Sequence, residues 1–161
     1  MTAPNLRRLL NQNLADLVAA RRHLDFSAAR VTGLPDDLRG ISEAELESAE
    51  AFTSRFARVV DLLINKVLRS LDRVELKPHG TLLDVVNGAE QRGLVESAGA
   101  LRELKAVRNE VAHDYAASRL PEIFAYCRSR KAGLDAMCVR TEAYPEFRSP
   151  EDAFVLFEQL R

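Results

Sequence analysis

Three side chains in the stretch VRNEVAHDY, residues 107–115, have types and spacing that could do chemistry. Arg108 stands five residues before His113, and Tyr115 follows two residues later. An arginine binds a phosphate through two parallel hydrogen bonds and stabilises charge that develops on it. A histidine titrates near neutral pH and can move a proton. The two side chains together suffice for metal-free cleavage of RNA, in which a 2′-hydroxyl attacks the adjacent phosphorus.

Arg108 has an unfavourable position if this stretch is helical. At about 100° per residue, it falls inside the apolar arc of its helix. The other members of that arc are Leu101, Leu104, Val111 and Tyr115. Because a guanidinium stays ionised, it needs the rim of the helix, an anionic ligand in a polar cleft, or a carboxylate. The local candidates for that carboxylate are Glu103, Glu110 and Asp114. Since such a charge is awkward to bury, we expect Arg108→Ala to leave folding unchanged or to improve it.

His113 lies about 140° around the same helix from Arg108, on the face of Asn109. On one straight helix the arginine and the histidine therefore do not converge. They could meet if the helix bends or frays, or if a second copy of the chain contributes. A homodimer with this helix near its two-fold axis would place two arginines and two histidines around one cleft. The alternative is a histidine that caps a helix end and an arginine in an ion pair.

The segments that must position these residues are predicted to be helices. A first helix is predicted from near Pro4 to the GLP sequence at 33–35, because leucines recur there at steps of mostly three and four. Ser42 and Glu45 form the pattern of a capping box before a second helix of about 30 residues. Its apolar stripe is Ala49, Phe52, Phe56, Val59, Leu63, Val67, Leu71 and Val74.

The second half of the chain is predicted to hold shorter helices. A third helix opens at Thr81 and Asp84 and is weakened or split by its glycines. A fourth runs from about 98 to 117 after Ser97, and a fifth from about 120 to 140. A last short helix begins near Pro150. The chain is thus expected to be an all-α, antiparallel four-to-five-helix bundle over residues 1–140, with residues 141–161 as an extension.

Composition restricts the possible partners. The 161 residues suit one domain, and the net charge of −1 requires any RNA contact to come from a local patch. Candidate clusters are Arg102, Lys105 and Arg108, or Arg128, Arg130 and Lys131. The sequence has neither cysteine–histidine spacing for zinc nor a glycine-rich phosphate loop, so we expect no metal or cofactor. No apolar run reaches the roughly 18 residues of a membrane span, and we expect a cytoplasmic protein with no membrane partner.

The stretch RNEVAHDY resembles the signature of the HEPN superfamily, an arginine followed after four to six residues by a histidine. The segments AFTSRFARVVDLLINKVLRSL, GTLLDVVNGAEQRGLV and LRELKAVRNEVAHDY are similar to small bacterial HEPN proteins encoded beside a minimal nucleotidyltransferase. In their HepT toxin branch the motif is Arg-x4-His-x-Tyr, which Arg108, His113 and Tyr115 match. Asn109 matches the polar residue common after the arginine. The resemblance covers roughly residues 45 to 130.

The resemblance implies a homodimeric toxin with metal-independent endoribonuclease activity, in which Arg108 and His113 are catalytic. Asn109, Arg102 and Lys105 would support the site or bind phosphate. It also implies an antitoxin, a minimal nucleotidyltransferase, that transfers AMP onto Tyr115. Two alternatives stay open: a non-catalytic HEPN subunit that presents nucleotide or substrate to a nucleotidyltransferase, and a helical dimer in which the motif is purely structural.

Overall fold

The structure is a computed structural model that describes residues 2–113 and 119–144. Over these residues the backbone forms five helical rods and no β-strand, which confirms the predicted all-α bundle. The helices are α1 (Ala3–Arg30), α2 (Glu43–Asp61), a π-helical segment (Leu62–Leu68), α3 (Arg69–Val74), α4 (Leu82–Gln91), α5 (Ala98–Ala112) and α6 (Leu120–Glu142). The short helix predicted after Pro150 lies outside the described residues, as does most of the predicted extension.

The second rod is continuous from Glu43 to Val74. The residues at both junctions, Asp61 and Leu68, keep right-handed helical dihedral angles, so α2, the π-helical segment and α3 follow one another without a turn. The rod begins at the predicted capping box. Ser42 Oγ accepts a hydrogen bond from the Glu45 amide at 3.2 Å, and Glu45 Oε2 accepts one from the Ser42 amide at 2.7 Å. These two bonds satisfy amides that the first helical turn leaves unpaired.

Helix α4 is unbroken through Gly88, so the predicted split does not occur. Gly93 follows the helix with a positive φ of 72°. Its amide donates to the Glu90 carbonyl at 2.9 Å, and the Leu94 amide donates to the Ala89 carbonyl at 3.0 Å. This pair of bonds is the Schellman ending, which favours glycine because an added Cβ is strained at that φ.

The core lies where the long rod packs against α1, α5 and α6. Its largest members are three phenylalanines; Phe52 meets Phe124 edge to face, with ring centroids 5.8 Å apart. Both cysteines, Cys127 and Cys138, are free and buried in the same core, on α6. Burial of this kind, rather than any single polar contact, holds α5 against α2 and so positions Arg108.

None of the helices within residues 2–113 and 119–144 has both the length and the apolarity that crossing a membrane requires.

Candidate functional site

A groove of about 520 Å³ runs between α2 and α5. Its lining in the described part of the chain is Ser54, Arg55, Ala57, Arg58, Asp61, Arg108, Val111 and Ala112. Three arginines and one aspartate face it, which leaves two positive charges in excess. Because the chain as a whole carries −1, this is the kind of local positive patch that contact with a polyanion requires.

Arg108 is held in the groove by an ion pair. Its Nη2 lies 2.9 Å from Oδ1 of Asp61, and the two side chains are 30% and 28% exposed. Its Nη1 donates to Asn109 Oδ1 at 3.2 Å. Asp61 also accepts a hydrogen bond from Asn65 Nδ2 at 2.8 Å. The arginine in the apolar arc is thus half-buried and paired, and its side-chain hydrogen-bond and ion-pair partners within the described residues are Asp61 and Asn109.

Within the described residues, the carboxylate that pairs with Arg108 comes from another helix, as Asp61 of α2. Glu103 lies 3.6 Å from Arg130, and Glu110 lies 2.9 Å from Arg119. Asp114 lies outside the described residues. Of the local carboxylates that the sequence offers as candidate partners of Arg108, Glu103 and Glu110 pair with other arginines.

His113 ends α5 and does not line the groove. Helix α5 stops at Ala112, about five residues earlier than the periodicity predicts, and His113 leaves the helical region with φ −93° and ψ 6°. Its amide still donates a helical hydrogen bond to the Asn109 carbonyl at 3.1 Å, but its dihedral angles are no longer helical. The chain therefore departs from the helix at this residue. The imidazole is exposed at the end of the rod, while Arg108 faces the groove. Tyr115 lies outside the described residues.

The predicted supporting residues separate into two groups. Asn109 accepts a hydrogen bond from Arg108. Lys105 is half-buried and lies close enough to Arg108 for the two positive charges to repel each other. Burial lowers the pKa of Lys105, and the positive charges of Arg108 and Arg69 lower it further, against the opposing effect of Asp61. Lys105 therefore belongs electrostatically to the same positive cluster. Arg102 is exposed and does not line the groove.

Sequence reasoning missed the four polar or charged groove residues that α2 contributes: Ser54, Arg55, Arg58 and Asp61. A signal for Asp61 was present, because it is the lone charge in the apolar run VVDLLIN. A charged residue inside such a run needs a partner or a ligand. Arg55 and Arg58 do not interrupt an apolar run, and charged residues are common on the exposed face of an amphipathic helix, so the sequence gives no such signal for them.

Among the described residues no group of histidine, cysteine, aspartate and glutamate side chains is arranged to hold a metal ion. Comparison of the chain with protein-family models, with curated proteins and with solved structures gave no match.

Proposed function

We propose that the chain is a metal-independent endoribonuclease of the HEPN type, in which the groove between α2 and α5 binds a phosphate of the RNA backbone. The observation that supports this is Arg108, presented in a groove with two positive charges in excess and oriented by Asp61. A guanidinium that is already oriented loses little freedom when a phosphate binds and stabilises negative charge as it develops. The Arg-x4-His-x-Tyr resemblance supplies the reaction class.

In this proposal the 2′-hydroxyl of the preceding ribose attacks the phosphorus. The bond from O2′ to phosphorus forms, the bond to the 5′-oxygen of the next nucleotide breaks, and the products are a 2′,3′-cyclic phosphate and a 5′-hydroxyl. His113 takes the proton from the 2′-hydroxyl and gives it to the 5′-oxygen as that oxygen leaves. Arg108 stabilises the charge on the non-bridging oxygens of the phosphate.

We infer that the histidine of each site comes from a second copy of the chain. Arg108 faces the groove and His113 caps the end of α5, so the two do not share one surface of one chain. A two-fold dimer with the ends of α5 close together brings the arginine of one protomer to the histidine of its partner. This arrangement supplies both groups without any rearrangement of α5.

Mixing two inactive variants tests the shared site. Arg108→Ala and His113→Ala are each expected to reduce cleavage in EDTA by about 10² or more. A mixed dimer keeps one intact site of two. Because half the dimers are mixed after equal, random exchange, about a quarter of the wild-type activity should return. Each variant mixed with itself is the control. No recovery, with exchange verified by mass spectrometry, would contradict the shared site, and full activity of either single variant would contradict the ribonuclease.

A second candidate function follows from the position of His113. An exposed histidine outside the groove is also what a non-catalytic HEPN subunit would show, one that binds nucleotide or RNA and presents it to a nucleotidyltransferase. The two candidates differ in one measurement. The binding subunit would retain an RNA oligonucleotide in EDTA without cleaving it, and Arg108→Ala would abolish retention while His113→Ala would not.

We further propose that a minimal nucleotidyltransferase antitoxin neutralises the chain by transferring AMP to Tyr115. The tyrosine oxygen would bond to the α-phosphorus of ATP, and pyrophosphate would leave. The added AMP would bring negative charge and bulk to the motif and would hinder the binding of an RNA phosphate. Tyr115→Phe co-expressed with the antitoxin should gain no AMP mass and should stay toxic. Full rescue of growth by the antitoxin would show that neutralisation works through binding alone.

A further inference from the structure

Phe26 is a large apolar side chain placed in an unusual setting on α1. It is 60% exposed, whereas most large apolar residues of the described chain are buried in the core. Two guanidinium groups accompany its ring: Cζ of Arg30 lies 5.7 Å and Cζ of Arg55 lies 5.9 Å from the ring centroid. Among the described residues, this ring is not one of those that pack in or against the hydrophobic core.

Arg55 joins this ring to the groove. Its Nη1 donates to Ser27 Oγ at 2.7 Å and to the His23 carbonyl at 3.1 Å, so contacts with α1 fix the guanidinium beside Phe26. The same residue lines the groove that contains Arg108. The aromatic ring therefore lies one side chain, that of Arg55, away from the groove.

We propose that Phe26, flanked by Arg30 and Arg55, is a stacking subsite for an unpaired nucleobase of the RNA strand whose phosphate occupies the groove. This rests on the proposed function for the class of ligand, and extends it to a base-binding site apart from Arg108 and His113. An aromatic ring stacks on any base, and guanidinium planes both stack on bases and attract phosphates. The combination of planar groups with excess positive charge favours a single-stranded nucleic acid over an apolar protein surface.

The test uses a pentanucleotide of 2′-O-methyl RNA with 2-aminopurine at its central position. The methyl group blocks attack by O2′, so binding is measured without cleavage. Phe26→Ala should weaken binding about fivefold to a hundredfold, the range for losing one stacked base, and should abolish the quenching of 2-aminopurine. Phe26→Trp should restore both. The matched control is Leu83→Ala, which removes a half-exposed apolar side chain from α4, a helix that does not line the groove.

A strand with an abasic central position separates stacking from charge. Wild type and Phe26→Ala should bind it equally, because the base that stacks on Phe26 is missing while the phosphates are unchanged. Equal weakening of the normal and the abasic strands by Phe26→Ala would overturn the proposal, as would unchanged binding of the normal strand. A wild-type dimer that Phe26→Ala dissociates in sedimentation would overturn it too, because the ring would then bind a second copy. If unmodified RNA is bound with this dependence on Phe26 but not cleaved, the ribonuclease proposal fails and the stacking subsite stands.

Discussion

Replacing Arg108 with alanine is expected to lower the free energy of unfolding by about 1 kcal/mol. The ion pair with Asp61 is 2.9 Å long, and about 30% of each side chain is exposed, so water still screens part of the attraction. The cost of leaving Asp61 without Arg108 is limited as well. Asp61 keeps its 2.8 Å hydrogen bond from Asn65, and the open groove lets water reach the carboxylate that has lost its partner. The sequence alone predicts instead that folding is unchanged or improved, because it treats the buried charge as poorly compensated.

A double-mutant cycle isolates the pair. Wild type, Arg108→Ala, Asp61→Asn and the double variant are unfolded with urea and followed by circular dichroism. The coupling energy should be about 0.5 to 1 kcal/mol and should shrink in 1 M salt, as it does for a partly screened pair. The melting temperature of Arg108→Ala should fall by roughly 2 to 4 °C. The control is Arg102→Ala, an exposed residue of the same helix, with an expected change within about 0.5 kcal/mol.

The sign of the change in the free energy of unfolding decides whether the ion pair stabilises the fold. If Arg108→Ala is more stable than wild type, the cost of burying the guanidinium exceeds its attraction to Asp61. Arg108 would then be retained for its ligand alone. A coupling energy indistinguishable from zero would refute the claim that Asp61 orients Arg108, even if the destabilisation has the expected size.

Three further predictions concern the scaffold. Burial raises the pKa of both Cys127 and Cys138 from 9.0 to about 12. At pH 8 the folded protein therefore holds about a thousandfold less thiolate than the unfolded chain and should resist iodoacetamide until urea unfolds it. Rapid labelling of the native chain would contradict this. Burial raises the pKa of Glu75, but its hydrogen bonds, above all from Arg92, lower it below 4.5 overall. The stability from this shift is present above pH 4.5 and is lost as the pH falls through the folded value. Urea unfolding at several pH values should show a smaller slope in Arg92→Met than in wild type, and an equal slope would contradict the role of Arg92. Ser42→Ala should cost about 1 kcal/mol in urea unfolding, and no change would mean that the cap is not formed in solution.

The helix starts could be read from the sequence because each depends on a few adjacent residues. Ser42, Thr81 and Ser97 each accept a hydrogen bond at the beginning of a helix, as the sequence predicts. The end of α5 could not be read in this way. The apolar spacing continues to Tyr115, but the helix stops at Ala112. Apolar periodicity reports which face can be buried and does not require that the chain stays helical to its last member.

The partner of Arg108 could not be predicted because it depends on how two helices pack. Asp61 and Arg108 are 47 residues apart, and only the angle and register of α2 against α5 bring them within 2.9 Å. The same register creates the groove and adds Arg55 and Arg58 to it. Reasoning along one helix considers neighbours at three and four residues, so it favoured Glu103 and Glu110, whose side chains point to other partners.

The π-helical segment after Asp61 did have a signal in the sequence, in the spacing of the apolar stripe. Val59, Leu63, Val67 and Leu71 are separated by three successive steps of four, and all four are fully buried. In an α-helix each such step overshoots a full turn by about 40°, so Leu71 would lie about 120° around from Val59. A π-helix has more residues in each turn, and this lets the four side chains keep one direction into the core. Asp61 lies immediately before this segment, and its carboxylate contacts Arg108 on α5. The wider turns that follow keep the buried stripe directed into the core. The π-helical segment therefore keeps the buried stripe in line, while the rod's contribution to the groove comes from α2 residues that precede this segment.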